Sequence, residues 1–224
     1  MFEHDYLVSE PLFWLFLAAT AVLVWGYYWG GRENKRLYLS AFNGLADVIK
    51  PVDQTFVNIG GLIGYHGNFV TPKDSPFEKV EATITFLARQ SLLYLPVSIL
   101  IRKHDRLFVT LYMRQSPKEE GHLIEERYSR FRHARITNEA RLNREPIRWG
   151  GMDWIVYYQG GRMRDRLKKF TETHTEPGIL RHIAVVPDQK KCFVFMIPKK
   201  GQVKACFEPV YRWLPSLVPS KKTA

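Results

Sequence analysis

LFWLFLAATAVLVWGYYWG, residues 12–30, decides how the rest of this chain is read. The stretch holds no charged residue and one aliphatic hydroxyl, Thr20. About twenty predominantly apolar residues let a helix cross the hydrocarbon core of a bilayer with every backbone N–H and C=O paired internally. Trp25, Tyr27, Tyr28 and Trp29 crowd one end and Phe13 and Trp14 mark the other, as aromatic side chains do at headgroup level. The alternatives are a buried core helix and a cleaved signal peptide. A signal peptide opens on positive charge and closes on small residues, whereas here acids come first and aromatics last. Length and flanks favour a membrane anchor over 12–31.

All 33 Lys and Arg residues follow residue 31, and Glu3, Asp5 and Glu10 precede the run. The positive-inside rule then puts a short acidic N-terminus, 1–11, outside or in the lumen, and the body in the cytosol. The membrane would be the endoplasmic reticulum in a eukaryote and the cell membrane in a prokaryote. The formal charge is +11, or +14 once the three N-terminal acids are set aside. Such an excess attracts nucleic acid or anionic headgroups and does not choose between them. The remaining ~190 residues suit one domain with its own core. Cys192 and Cys206 lie in apolar neighbourhoods and read as reduced core thiols.

Outward from the anchor, Tyr38, Phe42, Leu45 and Ile49 fall at helical spacing, so the helix continues or bends into an amphipathic stretch over 32–51 that Pro51 stops. Residues 55–59 read as a strand, and Gly60, Gly61, Gly64 and Gly67 as turns around Tyr65 and His66. Residues 79–86 alternate as a half-buried strand. A short helix is expected over 90–95, limited by Pro96, then a strand over 107–113. Residues 118–135 read as a helix on the spacing of Ile124, Tyr128 and Phe131; residues 136–149 show no firm period. A strand at 154–158 precedes a helix with Met163, Leu167 and Phe170 inward. Strands at 180–186 and 192–197 flank a turn at Pro187 and Asp188, the second apolar enough to be central. A last helix carries Val203, Phe207, Val210 and Leu214 around Pro209. The expected architecture is α+β: one transmembrane helix and a single cytosolic domain over 52–219, with a frayed tail at 220–224.

No constellation for catalysis emerges. The glycine cluster at 60–67 lacks the order of a dinucleotide turn, no phosphate-loop or nucleophile-elbow motif occurs, and no two histidines stand at i, i+3 or i+4. The expectation is a non-enzyme without metal or cofactor. Basic segments say more. Arg127, Arg130, Arg132, Arg135, Arg141, Arg144 and Arg148 come with no lysine among them, and Arg suits bidentate phosphate contacts. Arg162, Arg166 and Lys169 repeat along a helix face opposite its apolar one. A solvated face paired with nearby glutamates is the alternative to an RNA- or anion-binding surface. Within the anchor, Ala18, Ala19, Gly26 and Gly30 offer small surfaces for a transmembrane partner, Gly26 and Gly30 at a helix-packing spacing.

The segments 31–37 (GRENKRL), 41–43 (AFN), 56–60 (FVNIG) and 86–93 (FLARQSLL) resemble those of the calumin family, coiled-coil-domain membrane proteins of the endoplasmic reticulum. The last is similar to that family's Phe-Leu-Lys-Arg-Gln-Asp-Leu-Leu. Ala88 and Ser91 replace charged residues of the motif, the acidic lumenal segment is short, the C-terminal coiled coil is missing, and 114–150 looks like an insertion rich in arginine. Family members act with a small partner, Asterix, as an intramembrane chaperone beside the Sec translocon, and their cytosolic part contacts the ribosome. The resemblance implies a factor in multipass membrane-protein insertion, with client transmembrane helices, translocon, ribosomal RNA and lipid as partners. A membrane-anchored scaffold, whose basic face binds anionic lipid and recruits a cytosolic protein, is the alternative from composition alone. A tethered enzyme with an unseen site is a third.

Overall fold

A computed structural model describes residues 10–129, 136–137 and 139–218. Glu3, Asp5 and the tail after 218 lie outside these. Helix α1, Pro11–Ile49, is one unbroken helix of 39 residues, about 58 Å long at 1.5 Å per residue. Its two halves live differently. From 11 to 29 every residue but Gly26 is exposed, whereas Leu37, Ala41, Phe42, Leu45 and Ile49 are buried. The sequence left open whether the helix continues or bends near residue 31; it continues without a break into the domain and becomes its core helix. It is long and apolar enough to cross a membrane. Lys50, in the left-handed region at φ 51°, ends it by donating its N–H to the Ala46 carbonyl.

Nine strands form one sheet: β1 Asp53–Asn58, β2 Gly64–Val70, β3 Phe77–Thr85, β4 Arg106–Met113, β5 Gly121–Glu125, β6 Asn143–Trp149, β7 Met152–Tyr158, β8 Leu180–Val186 and β9 Lys191–Met196. Their order is β1-β2-β3-β4-β9-β8-β5-β7-β6, every neighbour antiparallel. The helices are α2 Leu95–Arg102, the single turn α3 Glu126–Ser129, α4 Gly161–Thr173 and α5 Val203–Trp213. The class is α+β. Apolar stripes of α1, α4 and α5 share one core with Val80, Ala82, Ile84, Leu111, Val156 and Val194 of the sheet. A smaller cluster, Ile124, Tyr128, Ile155, Tyr157 and Phe195, lies on the opposite face. β9, fifth of nine, is covered on both sides, as its composition predicts.

Three expectations change. Residues 121–125 form β5, not helix, because the strand is wedged between β8 and β7 and Leu123 and Ile124 are buried on opposite faces. Phe131, the third residue of the supposed helical stripe, lies outside the described residues. Pro96 begins a helix rather than ending one: it occupies the first turn of α2, where its missing N–H costs nothing. Tyr65 and His66 stand within β2, and only 59–63 turn the chain. Within 114–150, β5 is an inner strand of the sheet and β6 an edge strand.

Candidate functional site

Strands β3 and β4 run side by side for the depth of the domain, about 27 Å at 3.4 Å per residue, and each end of this ladder carries a cluster of functional interest. At the Thr85 end the chain folds back onto α1. Asn34, buried on the helix, donates from Nδ2 to the carbonyls of Leu62 (3.0 Å) and Leu87 (3.2 Å). Its Oδ1 accepts from Arg89 Nη1 at 2.8 Å. Arg89 grips Asp105 with both terminal nitrogens, at 2.9 and 2.7 Å, and Asp105 also accepts the Leu87 N–H at 2.9 Å. A bidentate pair with its other lone pairs satisfied is the form in which a buried charge is tolerated. The network pins 86–92 along α1, where Leu92 lies against Gly26 and the Arg89–Gln90 peptide against Gly30.

This corrects the expected partner-contact face. Ala18 and Ala19 are exposed, but Gly26 and Gly30 are covered by the chain itself; a Cβ at Gly30 would stand 2.2 Å from the Arg89 carbonyl. The close approach at Gly26 and Gly30 is made by this protein's own loop instead of another helix. The motif over 86–93 that carries the family resemblance supplies that loop. Asn34 and Asp105 went unnoticed in the sequence, although Asn34 falls in register with Leu37, Ala41 and Leu45 on the buried stripe.

At the Phe77 end a groove of about 700 Å³ opens between the first turns of α4, residues 73–76, 114–119 and 215–218. Lys73, Arg114, Lys118, Arg162 and Arg166 line it, against Asp74 and Glu119. Glu119 is already engaged: its Oε2 accepts the Met163 N–H at 2.9 Å, placing a carboxylate at the positive end of α4. Arg114 Nε donates to the Ser75 carbonyl at 2.9 Å, and Arg166 donates to that of Ser216. Both guanidinium groups are thereby steered across the groove, a disposition that suits a phosphate or carboxylate ligand.

Among the described residues the predicted basic side chains do not form one surface. Arg162, Arg166 and Lys169 lie along the exposed side of α4, as expected. Arg144 and Arg148 are exposed on edge strand β6; Arg144 pairs with Tyr157 of the small cluster, while Glu145 pairs with Val156 of the main core and its carboxylate holds Lys168 of α4. The register therefore puts Arg144 and Arg148 on the face opposite α4. Arg141 is exposed in a short turn of helix ahead of β6. Arg127 borders a separate cleft with Lys103, His104 and Arg181. Burial, then the charges of Arg106 and Arg181, lowers His104 below its ordinary value. Arg130, Arg132 and Arg135 lie outside the described residues. Lys73, Arg114 and Lys118 were missed because two separate loops, β2–β3 and β4–β5, bring them to the first turns of α4.

The remaining titratable groups of note are buried. His182 and His122 stack at 5.6 Å, and burial pushes His182 down to about 3. His122 is lowered for the same reason, with Glu120 opposing. Both are neutral near pH 7, and a base this weak is ill matched to proton abstraction there. Burial raises the Cys192 thiol, which leaves it inert as a nucleophile. Among the described residues no group of three His, Cys, Asp or Glu could hold a metal ion. No protein-family model matches the chain, and no curated protein is similar to it.

Proposed function

We propose that the protein is a non-enzymatic, membrane-anchored factor of membrane-protein insertion, held at the cytosolic face of a bilayer beside the Sec translocon. One observation carries the reading: a helix fit to cross the bilayer is also the core helix of the domain, and the cationic groove opens at the far end of that domain. Such a body holds a phosphate-binding surface at a fixed height above the membrane, where a docked ribosome presents its RNA. The resemblance of 31–60 and 86–93 to the calumin family supplies the process, with an Asterix-like membrane partner and client helices. Since the groove binds by charge, association weakens steeply with salt.

The test is co-sedimentation of the detergent-solubilised full chain with ribosomes. Lys73→Glu, Lys118→Glu and Arg162→Glu together are expected to abolish it, and unchanged sedimentation would remove the RNA role. Crosslinking in native membranes should recover translocon subunits. A second reading, a scaffold resting on anionic lipid, is favoured by cations at the opposite end, Arg32, Lys35, Arg36 and Lys199, all exposed. Retention on anionic vesicles with no ribosome association would select it.

A further inference from the structure

The segment 92–101 is built inside out. In a surface helix of a water-soluble domain the apolar side turns to the core and the polar side to solvent. Here Ser98 is the buried residue of α2, its Oγ accepting the Ala88 N–H at 3.1 Å. Leu93, Tyr94, Val97, Ile99, Leu100 and Ile101 are exposed, Leu100 at 81% and Leu93 at 78%. A run of this kind left to water is an aggregation hazard, and so marks a surface that something covers.

Three observations say what covers it. First, the segment starts on the apolar half of α1: Leu92 packs on Gly26, about 6 Å inside the end of the stretch at Gly30. Whatever medium surrounds Trp25 and Trp29 therefore reaches Leu93 and Tyr94. Second, cations follow the apolar residues, Arg102 closing the helix and Lys103 in the left-handed region at φ 63°, as in interfacial helices whose basic residues meet headgroups. Third, the β1–β2 turn reaches the same level, Leu62 lying against Gly31 with Ile59 exposed nearby.

We propose that residues 92–101 are a second, non-spanning membrane contact, immersed in the cytosolic leaflet at the acyl–headgroup boundary beside α1. This rests on α1 crossing the bilayer, which the experiment measures separately. An environment-sensitive fluorophore is attached to the full chain at Leu100→Cys or Ile101→Cys, with Phe16→Cys on α1 and Glu172→Cys on α4 as references. Cys206 is replaced by Ser, and Cys192 is buried. In vesicles of phosphatidylcholine and phosphatidylglycerol, quenching by lipids with a nitroxide on the acyl chain is read at each site. The expected result is quenching at 100 and 101 close to that at 16 and several-fold above that at 172. Strong quenching at 16 with 100 and 101 no different from 172 overturns the second contact and leaves the anchor standing. No quenching at 16 overturns both.

Discussion

The two ends of the β3–β4 ladder solve the problem of charge in opposite ways. At the Thr85 end Arg89, Asp105 and Asn34 are turned inward and satisfy one another, and the outer surface of the adjoining chain is left to leucine and isoleucine. At the Phe77 end the buried polar side chain is an uncharged hydroxyl, Thr71, which donates to the Phe77 carbonyl, and the cations line a groove at the surface. The charge of Arg89 and Asp105 is structural and satisfied within the fold, whereas Lys73 and Lys118 line an open groove. The difference teaches that a count of basic residues says little about function until each is placed by its medium: Arg89 belongs to a motif and holds a loop, whereas Lys73 and Lys118 belong to none and line the groove.

The comparison can be broken most severely at Arg89. Arg89→Met leaves Asp105 buried without its counter-ion, and a loss of about 3–5 kcal/mol is expected, read as a lowered denaturation midpoint in detergent. Gly30→Val drives a side chain into the Arg89–Gln90 peptide, which cannot rotate aside; about 3 kcal/mol is expected, with Gly161→Ala, which meets nothing within 4 Å, as the near-neutral control.

Acid tests the buried histidines. His182 titrates near 3 in the fold against 6.5 ordinarily, so the unfolded chain takes up the proton first as pH falls. Its contribution is intact above pH 6.5 and is lost downward toward 3, at up to about 1.4 kcal/mol per pH unit. His182→Phe should flatten the fall in stability from about pH 7 to about pH 5. The smallest effect on stability belongs to the distal end: Lys118→Glu should change it by less than about 0.5 kcal/mol while weakening polyanion binding by about tenfold, measured by retention on heparin.

Strands whose alternation is set by one buried face were legible, as at Val80, Ala82 and Ile84, and so was α4 from Met163, Leu167 and Phe170. Both signals are local. β5 was not legible, because Ile124 and Tyr128 at a spacing of four satisfy a helical period as well as the real arrangement, and only β7 and β8 decide between them. Pro96 was read as a stop since proline limits a helix from either side and sequence alone does not say which. Of the site, Arg162 and Arg166 were found by helical spacing. The rest of the groove converges from loops with no shared period, and the partner of Gly26 and Gly30 was a stretch more than fifty residues downstream.

Helix α1 has no hinge between its bare half and its packed half, and that makes it a lever. From Gly30 to Ile49 the arm is about 29 Å. A change of tilt of about 10°, within the range by which spanning helices adjust to bilayer thickness, would swing the far end of the domain by about 5 Å. In a helix without a hinge, tilt at one end becomes displacement of the groove at the other.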